Sequence, residues 1–295
     1  PSFGNLFLID GFVINENLRQ QARPFLIADA LQETKVAPSS VAAEFGRFQG
    51  GVVNTITKSG TNRLAFSFRA GFTNDSWRAL TPFGGDKTVN RRLPTLEATI
   101  GGPLRKDRLW YFGAIKLEQY EQNRILPYSR VNYVFGDSQQ HYEGKLTWSP
   151  SKRQTVRLSY YRADDRRTRV ANGAVMDLAS LYNDRTPEAL YAASYNATIS
   201  SRMLFEARYS NRQLTFTGVG SRVTTLAGGG TPIWDRSRSS ARFNSPTGCA
   251  VCPGSDDERD NQNLIAKVWF TRPTPTRGTH EVTAGIDAFQ ETRRN

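Results

Sequence analysis

Ala43-Glu44-Phe45-Gly46-Arg47-Phe48-Gln49-Gly50-Gly51-Val52-Val53-Asn54-Thr55-Ile56-Thr57-Lys58-Ser59-Gly60-Thr61-Asn62 is the stretch on which the fold turns. Val52, Val53 and Ile56, entered through Gly50 and Gly51, read as a short strand. A glycine pair at its entrance suits either a positive φ or the close approach of another backbone. Lys58-Ser59-Gly60-Thr61-Asn62 is turn chemistry, because Gly and Asn tolerate left-handed conformations. Upstream, Phe7-Leu8-Ile9-Asp10-Gly11-Phe12-Val13-Ile14 is an apolar strand interrupted by Asp-Gly, a strong hairpin pair. Leu26 to Val36 reads as a short helix or strand.

Downstream of Asn62 the pattern changes to long segments of strict alternation. Leu64, Phe66, Phe68, Ala70 and Phe72 share one face, and Arg63, Ser67 and Arg69 the other. Leu96, Ala98 and Ile100 oppose Thr95, Glu97 and Thr99; Tyr142, Leu146 and Trp148 oppose Glu143 and Lys145. The same rhythm recurs near Leu109–Glu118, Val156–Tyr160, Tyr191–Ile199, Met203–Ser210, Asn263–Phe270 and Glu281–Ala288, with Trp110 and Phe112 blurring the second face of their segment. Nine strands follow, many near the roughly 9–11 residues that a tilted membrane strand needs. The connections alternate: 73–92, 122–138, 164–187 and 217–259 are long, while 101–107, 149–153, 200–202 and 272–279 are short. Short turns on one side and long loops on the other are the habit of outer-membrane barrels. Trp110 with Tyr111, Trp148, Tyr160 with Tyr161, and Trp269 fall near strand ends, where interfacial girdles sit.

Composition fits this architecture. Only 38% of residues are hydrophobic and the mean hydropathy is −0.53, so no apolar run makes a spanning helix. A barrel survives that test, because only alternate residues meet lipid. The net charge of +12 is scattered through strands and loops, which argues against nucleic acid as a partner and for a polar lumen and for loops beside glycolipid phosphates. Pro1 is not preceded by a signal peptide, so an exported protein of this sequence is expected to continue beyond it.

The Glu44-Phe45-Gly46-Arg47…Gly50-Gly51-Val52-Val53-Asn54…Thr57-Lys58 sequence resembles the plug-to-barrel junction of TonB-dependent outer-membrane transporters, and its flanks are most similar to the Oar-like subgroup. Gly101-Gly102-Pro103-Leu104-Arg105-Lys106-Asp107, followed by Trp110-Tyr111-Phe112, resembles that subgroup's first periplasmic turn. Asp10-Gly11 resembles the Ile-Asp-Gly of its plug. One departure stands out: Lys35-Val36-Ala37-Pro38-Ser39 occupies the place where many members carry Arg-Gly-Pro, so their Arg-based plug lock is not carried over. The resemblance implies an all-β chain in which residues 1–60 close an α+β plug and residues 61–295 begin a transmembrane barrel of about 22 strands. It implies import of a scarce substrate (a peptide or protein, a siderophore or a glycan) across the outer membrane, driven by an inner-membrane TonB-type complex. Lipid, lipopolysaccharide and that substrate would be its partners. The junction residues expected to matter are Glu44, Gly46, Arg47, Gly50, Gly51, Asn54 and Lys58, with the plug turn Asp10 and Gly11. The alternative is a structural or adhesive barrel whose loops bind partners without import.

Catalytic signatures are missing. There is no Gly-x-Ser-x-Gly elbow, Walker loop or dinucleotide fingerprint, and His141 and His280 join no metal triad. No enzyme activity, cofactor or metal is expected. Cys249 and Cys252, in a long polar segment, read as a local loop disulfide.

Overall fold

The computed structural model describes residues 4–16, 22–23, 26–38, 50–82, 85–171, 173–217, 233–244, 256–274 and 278–294. Glu44, Gly46, Arg47, Cys249 and Cys252 lie outside them.

Two sheets carry the fold. The smaller has β1 (Leu6–Ile9), β2 (Phe12–Val13), β3 (Leu31–Ala37) and β4 (Val52–Thr57) in the order β2-β1-β4-β3. β1 and β2 are the arms of a hairpin with Leu8 opposite Val13 and Ile9 opposite Phe12. Its two loop residues take positive φ, 51° at Asp10 and 82° at Gly11, as the sequence Asp-Gly predicts. The Leu26–Val36 stretch resolves into a short 3-10 turn, Ala28–Ala30, leading straight into β3.

The larger sheet is antiparallel and, among the described residues, nine-stranded. It runs in chain order through β5 (Ala65–Thr73), β6 (Leu93–Arg105), β7 (Leu109–Ile125), β8 (Asn132–Ser151), β9 (Gln154–Val170), β10 (Tyr182–Ser200) and β11 (Met203–Thr217). A two-stranded ribbon follows, β12 (Ile233–Asp235) with β13 (Ala241–Phe243), before β14 (Asp256–Thr274) and β15 (Gly278–Arg294) complete the large sheet. β5 and β15 are its edges, so this is a barrel wall that does not close on itself.

The small sheet packs on one face of the wall and defines its inside. Ile9 and Ile14 are buried against Tyr161, Ala163 and Leu190, while Ile27 and Ala30 are buried against Phe112 and Ala114. That contact explains why Phe112 broke the alternation: it is an apolar inner residue because an apolar partner faces it. The outer face is greasy and exposed, with Phe66 81%, Phe68 68% and Ile286 69% accessible. A contiguous exposed apolar face of this kind marks a surface that is covered in use.

Two expectations need correction. Tyr161, Trp110 and Trp269 are not girdle residues. Each sits next in sequence to an outward residue and therefore points inward, which is the geometry of a period of two. Tyr111, Trp148 and Tyr160 do face outward. The connections expected at 122–138 and 164–187 are also shorter than their polar sequence suggested. β7 and β8 pair as far as Ile125 and Asn132, and β9 and β10 as far as Val170 and Tyr182. Polar residues on both faces of a strand do not end its pairing, because the ladder is made by the backbone.

The described residues at the long-loop end make contacts of their own. Asp75 accepts from the Asn123 N–H at 3.0 Å, the Val89 N–H at 2.9 Å and Arg78 Nε at 2.7 Å, which ties residues 75–78 and Val89 to β7. Burial would raise the Asp75 carboxyl, but the two backbone N–H groups and Arg78 outweigh it and hold it below its ordinary range. Leu126, Tyr133, Phe135, Val170 and Val175 form a small core nearby, onto which the β12–β13 ribbon hooks through Arg242 N–H to Ala174 O at 3.0 Å.

Candidate functional site

The candidate site is a buried polar latch between the two sheets, and its centre is Asp10. Hairpin geometry throws this carboxylate from the β1–β2 turn towards the wall. There Lys145 Nζ, on β8, lies 2.6 Å from Oδ2, and the two side chains are 1% and 2% exposed. Tyr161 OH, on β9, donates to the same oxygen at 2.6 Å. Thr57, the last residue of β4, gives its N–H to Oδ1 at 3.0 Å.

Thr57 is the hub. Its Oγ1 accepts from Lys145 Nζ at 2.6 Å and lies 2.5 Å from Glu143 Oε1 and 3.0 Å from Asp10 Oδ2, with one proton to give between them. Lys145 also donates to the carbonyl oxygens of Thr57 at 3.2 Å and Lys58 at 3.1 Å. Three elements therefore share one ammonium group. Burial alone would push the Asp10 carboxyl up. The Lys145 ammonium, the Tyr161 hydroxyl and the Thr57 N–H act against it and hold it below its ordinary value.

The residues singled out from the sequence converge here in part. Asn54 Oδ1 accepts from the Gly11 N–H at 3.1 Å, tying β4 to the hairpin turn, and Arg208 Nη1 from β11 donates to Gly11 O at 3.1 Å. Lys58 donates its N–H to Ala30 O at 2.8 Å and its Nζ to Asp29 O at 2.7 Å. Gly50 and Gly51 stand apart from the latch, at the other end of β4. Neither has a positive φ; the close approach of other atoms explains them. A Cβ on Gly51 would lie 2.9 Å from Ala37 O, and one on Gly50 would lie 3.2 Å from Gly4 O.

Glu143, Lys145, Tyr161 and Thr57 were not among the expected site residues: Tyr161 was read as a girdle aromatic and Thr57 only as part of the junction motif. Their signal was weak: Glu143 and Lys145 read only as alternating polar positions, although both end up under 10% exposed. A second contact joins the two sequence motifs. Asn62 Oδ1 accepts from the Asp107 N–H at 3.0 Å and Trp110 Nε1 at 2.7 Å, and its Nδ2 donates to Asp107 Oδ1 at 2.6 Å. A Cβ on Gly60 would meet Trp110 Cβ at 2.9 Å and Gly102 O at 3.0 Å. The Lys-Ser-Gly-Thr-Asn turn is therefore docked on the Gly-Gly-Pro turn.

Further ion pairs continue the polar seam. Arg69 meets Glu97 at 2.7 Å and Asp29 at 3.0 Å, Arg23 meets Asp165 at 3.1 Å, and Arg259 meets Glu16. Among the described residues no group of three or more His, Cys, Asp or Glu is placed to hold a metal ion.

Known proteins resemble the chain in sequence and in fold. The TonB-dependent transporter Oar of Myxococcus xanthus is 30% identical over 137 residues, which is 43% of this chain and 13% of that protein. The siderophore receptor PirA of Acinetobacter baumannii superposes with a TM-score of 0.68 at 16% identity, over 99% of this chain and 41% of its own. A ferric enterobactin receptor of Pseudomonas aeruginosa gives 0.65 at 13% identity, over 100% of this chain and 42% of its own. For the outer membrane transporter YddB of Escherichia coli the values are 0.63 and 15%, over 98% and 41%. No family model matches the chain. The chain thus spans less than half the length of each of these proteins, and with the solved structures it shares the fold.

Proposed function

We propose that this chain, which by sequence and fold groups with TonB-dependent outer-membrane receptors of the Oar-like kind, supplies plug and wall to an active importer in the outer membrane. Residues 1–60 are the closing part of the plug, and residues 61–295 begin the barrel. Support comes above all from the Asp10–Lys145–Thr57 latch, in which a small inner sheet is held to the wall by hydrogen bonds and charge. Such contacts can be exchanged for contacts with water when the sheet moves, so they secure a plug without making its displacement prohibitive.

In this scheme the long loops face outward and capture the substrate. An inner-membrane TonB-type complex then pulls the plug to open a path. The substrate is a peptide or protein, a siderophore or a glycan, and a passive or adhesive barrel is the reading to be excluded. The test uses the full-length protein in cells with and without the TonB-type protein, offering labelled peptides, iron-loaded siderophores and oligosaccharides. Surface binding with uptake lost in the TonB-less strain is expected. Uptake indifferent to that loss, or binding never followed by uptake, would overturn import. Fractionation is expected to place the protein in the outer membrane with heat-modifiable gel mobility.

A further inference from the structure

We infer that the short-turn end of the wall is a docking surface for a carboxylate-bearing polymer of the periplasm, the peptide-substituted glycan of the cell wall. The inference rests on the outer-membrane orientation proposed above and adds a partner at the end away from the long loops.

Charge along this chain is sorted by end. Residues 57–64, 103–109, 149–154, 200–203 and 271–279 are the junction turn and the four short connections, and they hold ten Lys or Arg against one acid, Asp107. That is nine of the twelve net positive charges, so the other residues together come within three charges of neutrality. The junction belongs to this end because Asn62 is bonded to Asp107. Arg105, Lys106, Arg108, Lys152, Arg153 and Arg202 are all exposed, and none has an ion-pair partner among the described residues. The long-loop end differs. There Arg78 meets Asp86, Arg167 meets Asp184 and Arg293 meets Asp257.

Spacing selects a polymer. Adjacent strands lie about 4.8 Å apart, so successive short turns, two strands on, stand roughly 10 Å from each other. That is about one Debye length in dilute salt. A small anion therefore meets the charges of one turn only, and a single exposed pair is weak in water. A chain of repeated carboxylates meets several turns at once, and each contact raises the effective concentration for the next.

The turns lack what a folded partner needs and reach where a lipid does not. Lys106-Asp107-Arg108, Ser151-Lys152-Arg153 and Ser201-Arg202 hold no large apolar side chain to anchor in a partner's pocket. Phosphates of the inner leaflet lie against the outer face of the wall. Lys152 and Arg153 instead line a hollow with Thr155, Asn196, Thr198 and Glu281, on the inner face. A polymer lying across the barrel mouth reaches that face and the turn tips together.

The experiment sediments the full-length protein, in nanodiscs of zwitterionic lipid, with purified cell-wall sacculi. Wild type is expected to co-sediment, to prefer sacculi over soluble single-stem muropeptides by about tenfold or more, and to release them as salt rises. Sacculi whose stem carboxylates have been amidated are expected not to bind. The Lys106→Gln/Arg108→Gln/Lys152→Gln/Arg202→Gln variant is expected to lose binding as well. An Arg91→Gln/Arg166→Gln/Arg236→Gln/Arg238→Gln control, which removes as many charges from the long-loop end, is expected to keep it. A heat-modifiable wild-type barrel that ignores sacculi, or binds the amidated ones equally, overturns this inference alone. So does a short-turn variant that still binds. Loss of sacculus binding when anionic phospholipid is added to the disc also overturns it, by assigning the turns to the inner leaflet. If the short-turn variant fails to fold, the amidated sacculi decide. A wild type that never reaches the outer membrane overturns the importer reading and this one together.

Discussion

Asp10 stands out in the sequence as a turn residue and Lys145 only as one of an alternating polar series, and jointly they hold the inner sheet to the wall. Removing one partner of a buried pair strands the other, at a cost of about 3–5 kcal/mol. Lys145→Met is therefore expected to weaken docking by about that amount, read as faster amide exchange of β4 in the full-length protein. Tyr161→Phe deletes one hydrogen bond to a carboxylate and is expected to cost about 1–3 kcal/mol on the same measurement. The pH dependence follows from sign. The Asp10 carboxyl is depressed below 3.8 in the folded protein, so its contribution is complete above that value and is lost as pH falls through the folded value. Exchange of β4 is expected to rise only under such acid, and the Asp10→Asn variant is expected to lack that rise.

At the scale of elements, the junction is a pair of turns locked together. Asn62→Ala removes the acceptor for Asp107 N–H and Trp110 Nε1, and a loss of about 1–2 kcal/mol is expected as a lower unfolding midpoint. Gly60→Val is expected to be worse, because its side chain would fall onto Trp110 and the Gly102 carbonyl. The yield of heat-modifiable barrel checks it. Both turns were legible as motifs, since Gly, Asn and Asp announce their backbone conformations locally. Their contact was not legible, because forty-odd residues of chain separate them and nothing in either turn names the other. The strand extents show the same limit. Alternation tracks the lipid, so Leu109–Leu117 was readable, whereas Gln119–Ile125 pairs just as regularly without a hydrophobic signal.

For the molecule as a whole, the open wall is the dominant physical fact. The outer face exposes Phe66, Phe68, Phe72 and Ile286, and β5 and β15 leave unpaired backbone edges among the described residues. An exposed flat edge next to an apolar face is an aggregation hazard in water. The 295-residue chain expressed alone is expected to stay in solution only with detergent or lipid; a soluble monomer with a cooperative melt would contradict the barrel. In the full-length protein the same edges are expected to pair and the exposed face to be covered by acyl chains.

The amino-acid order alone determined the nine-strand alternation, the apolar outer face of each strand, the Asp-Gly hairpin and the Gly-rich junction, because each is written in neighbours one to four residues apart. Folding in three dimensions decided what the inward polar residues do. Glu143 and Lys145 become a latch, and Tyr161 a ligand to Asp10 instead of a girdle residue, only because the hairpin turn arrives opposite them. A lumen-facing side chain is chosen by a partner more than a hundred residues away, and no local pattern records which partner that will be.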